Sequence, residues 1–203
     1  METGVSSLGI FLLGVMDKEF LKTKELWFVL EKTLEVVNSE PEVMTRDRNC
    51  VQVSCFAASL LTNLGVEAQP IEATVTLMIL GDPTRYGIGG EQCRREEGWS
   101  GHMVVWVPGK EMILDLTLGF QPDPLKGALD RMRELEGRQN DVAPFFPGKY
   151  DPTVSNTAFR IVGNGAGRLT WNFPGVENWR AIVNLPLDKI EELVSEAFVQ
   201  YRA

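Results

Sequence analysis

An α+β fold is predicted, with a buried helix packed against an antiparallel sheet, and three observations predict it. Asn49–Gly65 and Leu187–Tyr201 carry apolar residues at i, i+3, i+4, i+7, i+8 and i+11, the stripe of an amphipathic helix. Ile71–Leu80 alternates, with Ile71, Ala73, Val75, Leu77 and Ile79 on one side, as a strand with one buried face does. Two short apolar runs, His102–Val107 and Met112–Leu116, flank Pro108, Gly109 and Lys110 and read as a hairpin.

The chain has 203 residues, 44% hydrophobic and 24% charged, which suits one large domain spanning 1–203. A net charge of −8 argues against a nucleic-acid partner, because phosphate contacts need a surplus of Lys and Arg. The apolar run Leu8–Met16 is too short to span a bilayer. It follows Glu2 with no basic residue before it, so it is read as a core segment rather than a signal peptide. Cys50, Cys55 and Cys93 are odd in number and irregularly spaced, which fits free thiols in a reducing cytoplasm and neither a disulfide framework nor a zinc site. No cofactor, metal or membrane partner is expected.

In chain order, residues 20–38 form an amphipathic helix with Leu26, Val29, Leu30, Leu34 and Val37 on one face, ended before Pro41. Residues 42–48 are a charged entry loop. Asn49 is a good N-cap for the central helix, with Gln52 placed to complete a box-like cap. Gly65 supplies the left-handed stop. Residues 81–101, rich in Gly and charge, are read as a long loop, whose glycines do not have phosphate-loop spacing. Residues 124–137 are helical, with Leu125, Leu129, Met132 and Leu135 in period. Residues 140–156 are read as a loop, 157–163 and 168–173 as strands joined by Asn164 and Gly165, and Leu187–Tyr201 as the closing helix. There is no internal repeat and no clear linker.

Three residues carry the chemistry. Cys50 opens a buried helix, where the dipole and free N–H groups favour a thiolate over a thiol. His102, the only histidine, opens a strand. Asp115 lies inside the apolar run MILDL of the returning strand, where a carboxylate is costly unless paired. The hairpin brings Asp115 near His102. There it can set the ring's tautomer and stabilise the imidazolium, leaving the other nitrogen to take a proton from Cys50. Cys55, one turn inside the helix, is read as a small buried side chain. Trp106, Trp171 and Trp179 are read as core or rim, Trp99 as a loop residue packing on the core, and Gln121 as a candidate support for the triad.

The order of these motifs resembles the transglutaminase-like branch of the papain-like cysteine enzymes. The resemblance covers roughly residues 45–120. The helix from Cys50 through Leu64, Gly65 and Val66 is similar to the family's cysteine helix. His102, Met103, Val104 and Val105 match its His-x-x-Val strand, and Asp115, Leu116 and Thr117 match its Asp-Pro/Leu-Thr run. No Trp stands just upstream of Cys50 and no Gln upstream completes an oxyanion hole, so only the backbone N–H of Cys50 is assigned as a donor. Arg46-Asp47-Arg48-Asn49 stands where arylamine N-acetyltransferases carry Arg-Gly-Gly-x.

The resemblance implies a papain-like, transglutaminase-like fold. It also implies a cysteine enzyme acting on an amide or acyl bond of a protein, peptide or small amide, as peptidase, amidase, deamidase or transglutaminase-type acyltransferase. Cys50 would be the nucleophile, His102 the base and acid, and Asp115 its orienting partner. A non-catalytic binding module on the same scaffold and a thioester-dependent acyltransferase remain as alternatives.

Overall fold

The computed structural model describes residues 22–39, 49–88, 101–120, 125–135, 146–162, 165–174 and 186–203. Among the described residues four helices, α1 (Lys24–Ser39), α2 (Asn49–Asn63), α3 (Leu125–Leu135) and α4 (Leu187–Arg202), accompany seven strands. These are β1 (Gln69–Ile79), β2 (Arg85–Ile88), β3 (His102–Val107), β4 (Met112–Asp115), β5 (Phe146–Lys149), β6 (Thr157–Val162) and β7 (Gly167–Asn172). Every pairing is antiparallel. The order β1-β3-β4-β5-β6-β7 returns to β1 and closes a six-stranded barrel, with β2 added alongside β1. The long strand β1 makes closure possible: Gln69–Ala73 pair with β3, and Thr74–Ile79 pair with β7.

Alternation along the strands separates two cores. Ala73, Val75 and Leu77 of β1, Val104 of β3, Ile113 of β4, and Leu169 and Trp171 of β7 fill the barrel, together with Leu125, Leu129 and Met132 of α3. Val105, Val107, Met112 and Leu114 face outward into a layer built by α1, α2 and α4. Helix α2 is covered by α1, α4, β3 and β1. Its predicted stripe is fully buried at Val53, Phe56, Ala57, Leu60 and Leu61, and Val51, Ser54 and Ala58 are buried as well. The helix ends at Gly65, with φ +84°, as the sequence predicts. The Val66 N–H donates to the Leu61 carbonyl and the Gly65 N–H to the Thr62 carbonyl, which closes a Schellman motif.

Four expectations change. Arg85–Ile88 is strand β2 rather than loop, because Val75–Met78 of β1 offer it a free edge. Phe146–Lys149 is strand β5 rather than loop. Pro147 and Gly148 hide it in the sequence, since both are disfavoured inside strands. Gly148 is required there: a Cβ would sit 2.9 Å from Cζ3 of Trp171 and 3.1 Å from Ile113. On α1 the buried face is Leu26, Val29, Leu30, Thr33 and Val36, so Thr33 and Val36 take the places expected of Leu34 and Val37. The Thr33 hydroxyl is satisfied by the Val29 carbonyl at 2.7 Å, which lets a polar residue enter the core. Finally, the Gln52 side chain is buried with Oε1 unpartnered, so the second half of the box-like cap does not form. The readings of Leu8–Met16, residues 42–48, Cys93, Trp99, Gln121 and Trp179 lie outside the described residues, as does the side chain of Asn49.

Candidate active site

Strand alternation and hairpin register place the acid and the imidazole. In β3, His102, Val104 and Trp106 point into the barrel while Met103, Val105 and Val107 point toward α2. In β4, Ile113 and Asp115 point inward. Val105 pairs with Leu114 and Trp106 with Ile113, so continuing the register sets Asp115 opposite Val104. His102 is then the diagonal neighbour of Asp115 on the same face, a separation long side chains bridge.

The bridge is made. His102 Nε2 lies 2.8 Å from Asp115 Oδ2, and both residues are 0% exposed. The carboxylate is saturated from other directions too. The backbone N–H groups of Thr117 and Leu118 donate to Oδ1 at 3.3 and 3.0 Å. The indole N–H of Trp171, reaching across the barrel from β7, donates to Oδ2 at 2.8 Å. Four N–H groups therefore converge on one carboxylate, which is how a buried acid offsets its lost hydration. An acceptor surrounded this way fixes the tautomer: the proton sits on Nε2 when the ring is neutral, and Nδ1 is left for another partner.

Cys50 is that neighbour. It sits in the first turn of α2, 8% exposed, in a small cluster with Val51 and Met103. The Ser54 hydroxyl, one turn further on, donates to the Met103 carbonyl at 3.2 Å and ties the start of α2 to the start of β3. Met103 is the residue after His102, so this tie holds the first turn of α2 against the start of the histidine strand. Burial opposes charging of the imidazole. The charge and hydrogen bond of Asp115 outweigh it, and the hydrogen-bonding influence and charge of Cys50 add to them, so the pKa rises from 6.5 to about 10. Nδ1 itself is buried and makes no hydrogen bond, so the sulfur stands within influence of the ring without a formed bond.

The three residues singled out in the sequence thus meet in one place. Trp171 was legible only as core or rim, and it is fully buried. The signal that could have marked it is chemical: a buried indole N–H needs an acceptor, and Asp115 is the buried acid on the facing strands. In the sequence Thr117 stands only as the last residue of the Asp115-Leu116-Thr117 run, with no role of its own. It is fully buried next to this group, with its hydroxyl unpartnered. Cys55 is half-buried on α2, in contact with the small cluster around Cys50. Among the described residues no group of three or more His, Cys, Asp or Glu could hold a metal ion, and no helix is long and apolar enough to cross a membrane. Comparison of the chain with protein-family models, with curated proteins and with solved structures finds no match.

Proposed function

We propose that this protein is a cysteine-nucleophile enzyme of the papain-like, transglutaminase-like kind, acting on an amide or acyl bond. One observation carries the reading: the only imidazole in the chain is held by Asp115 at Nε2 and has the Cys50 thiol, at the head of a buried helix, as its other neighbour. The Cys50 sulfur attacks the carbonyl carbon, and its proton resides on His102 Nδ1. The C–S bond forms as the carbonyl oxygen takes up negative charge. The first-turn N–H groups of α2 have no intrahelical partners and suit that charge. Collapse of the adduct breaks the C–N bond, and His102 returns the proton to the departing amine. Water or a second amine then attacks the thioester, gives a proton to His102 and releases the sulfur. Asp115 keeps the ring in the orientation both halves need.

Contacts between nucleophile and base are commonly looser before substrate binds, which accommodates the unpartnered Nδ1. That same atom, and the burial of Cys50 and His102, favour a second reading, a binding module in which the three residues serve only the fold. Alkylation by iodoacetamide at pH 6, followed by peptide mass spectrometry, separates the two. An activated Cys50 reacts at least about tenfold faster than Cys55 at a pH well below an ordinary thiol's pKa, and His102→Gln removes the difference. Equal, slow labelling of both thiols would leave the binding module standing.

A further inference from the structure

We propose that Trp171 is a positioning residue that acts on His102 through Asp115. The proposal takes its catalytic meaning from the reading above. Its basis is that the indole N–H and the imidazole N–H share one oxygen, Asp115 Oδ2, each at 2.8 Å. The other oxygen is occupied by the backbone of Thr117 and Leu118, so the carboxylate cannot turn to offer the ring a fresh acceptor. The indole is itself wedged. Trp171 pairs with Ala158 of β6, and its ring lies against Gly148 of β5, where even a methyl group would collide. Two small residues on neighbouring strands thus make the room that aims this N–H at the acid.

Two consequences follow from sharing. The indole fixes where Oδ2 sits, and therefore where the imidazole sits relative to Cys50. It also disperses the carboxylate's charge, so the imidazolium feels less of it than a carboxylate bound to histidine alone would supply. Trp171 thereby keeps the ring a better proton donor to a leaving group than the bare pair would be. The groups that face the ring are few among the described residues. Asp115 comes from β4 and Cys50 from α2, Ala73 of β1 stands opposite His102, and Glu72 beside it lies on the other face of β1, while the buried Arg160 of β6 lies over the ring of Phe146, the cross-strand partner of Asp115.

The test uses the single histidine as its own reporter. The ring 15N resonances of His102 are titrated in the full chain, in wild type and in Trp171→Phe, with far-UV circular dichroism as the check on folding. The expected result is an upward move of the imidazole midpoint by about half a unit or more, because Oδ2 loses its second donor. Should Trp171→Phe fail to fold, benzothienylalanine placed at position 171 keeps the bicyclic shape and replaces only the N–H by sulfur, and the same upward move is expected. A folded variant whose midpoint is unchanged or lowered would overturn the proposal and leave Trp171 as barrel filling. Iodoacetamide labelling of the same samples keeps the two readings apart. Slow Cys50 labelling in wild type with a raised midpoint in the variant keeps the clamp and sinks the enzyme. Fast labelling in wild type with no midpoint change does the reverse.

Discussion

The β3–β4 hairpin has two faces, and they are stabilised in different ways. Toward α2 it presents Met103, Val105, Val107, Met112, Leu114 and Leu116, every one buried and apolar. Toward the barrel it presents Val104, Trp106 and Ile113 mixed with His102, Asp115 and Thr117, and the last three are fully buried and polar. The outer face contributes by area removed from water, which has no direction, so many apolar side chains of similar volume would serve. The inner face depends on angles and on four N–H groups meeting one carboxylate. The same backbone thus carries a tolerant face and an exacting one, and the chemistry sits on the exacting side.

Substitutions on the two faces should separate cleanly. Asp115→Ala is the most damaging. It strips the acceptor from His102, Trp171 and two backbone N–H groups, and should cost about 3–5 kcal/mol in urea denaturation. A milder loss would mean that the inner face is packed rather than bonded. On the outer face, Leu114→Ala should cost about 2–5 kcal/mol, set by how far the cavity collapses. It should leave the preference of iodoacetamide for Cys50 over Cys55 intact. Loss of that preference would show that the faces are coupled.

Stability against pH gives a gentler test. The folded-state pKa of His102 is raised above its unfolded value, so its pairing with Asp115 stabilises the fold fully below about pH 6.5. That contribution fades as pH rises and is gone above about pH 10. The urea midpoint should therefore decline across that window, and His102→Gln should flatten the decline. An equal decline in the variant would place its origin elsewhere. The smallest effect is expected from Leu114→Met, below about 1.5 kcal/mol, because volume and polarity are kept and the outer face asks for nothing more.

Periodicity alone determined α1, α2, α3, α4 and β1, because each has an apolar repeat matched to its own geometry, while short runs bounded by turn residues marked the β3–β4 hairpin, β6 and β7. The Gly65 stop was legible for a similar reason, since few residues other than glycine enter the left-handed region cheaply. Cys50, His102 and Asp115 could be named together because each is chemically out of place: a thiol in a first turn, a lone imidazole, an acid in an apolar strand. Closure of the barrel was decided elsewhere. Strands β2 and β5 have no strand-like pattern: the preceding strand β1 holds β2 across a short turn, and β4, well back in the chain, holds β5. Trp171 likewise reads as one more aromatic in a strand. Only the folding of β7 across from β4 gives its N–H an acid to meet, because a hydrogen bond depends on where two atoms arrive in space, and sequence spacing records that only within a single element.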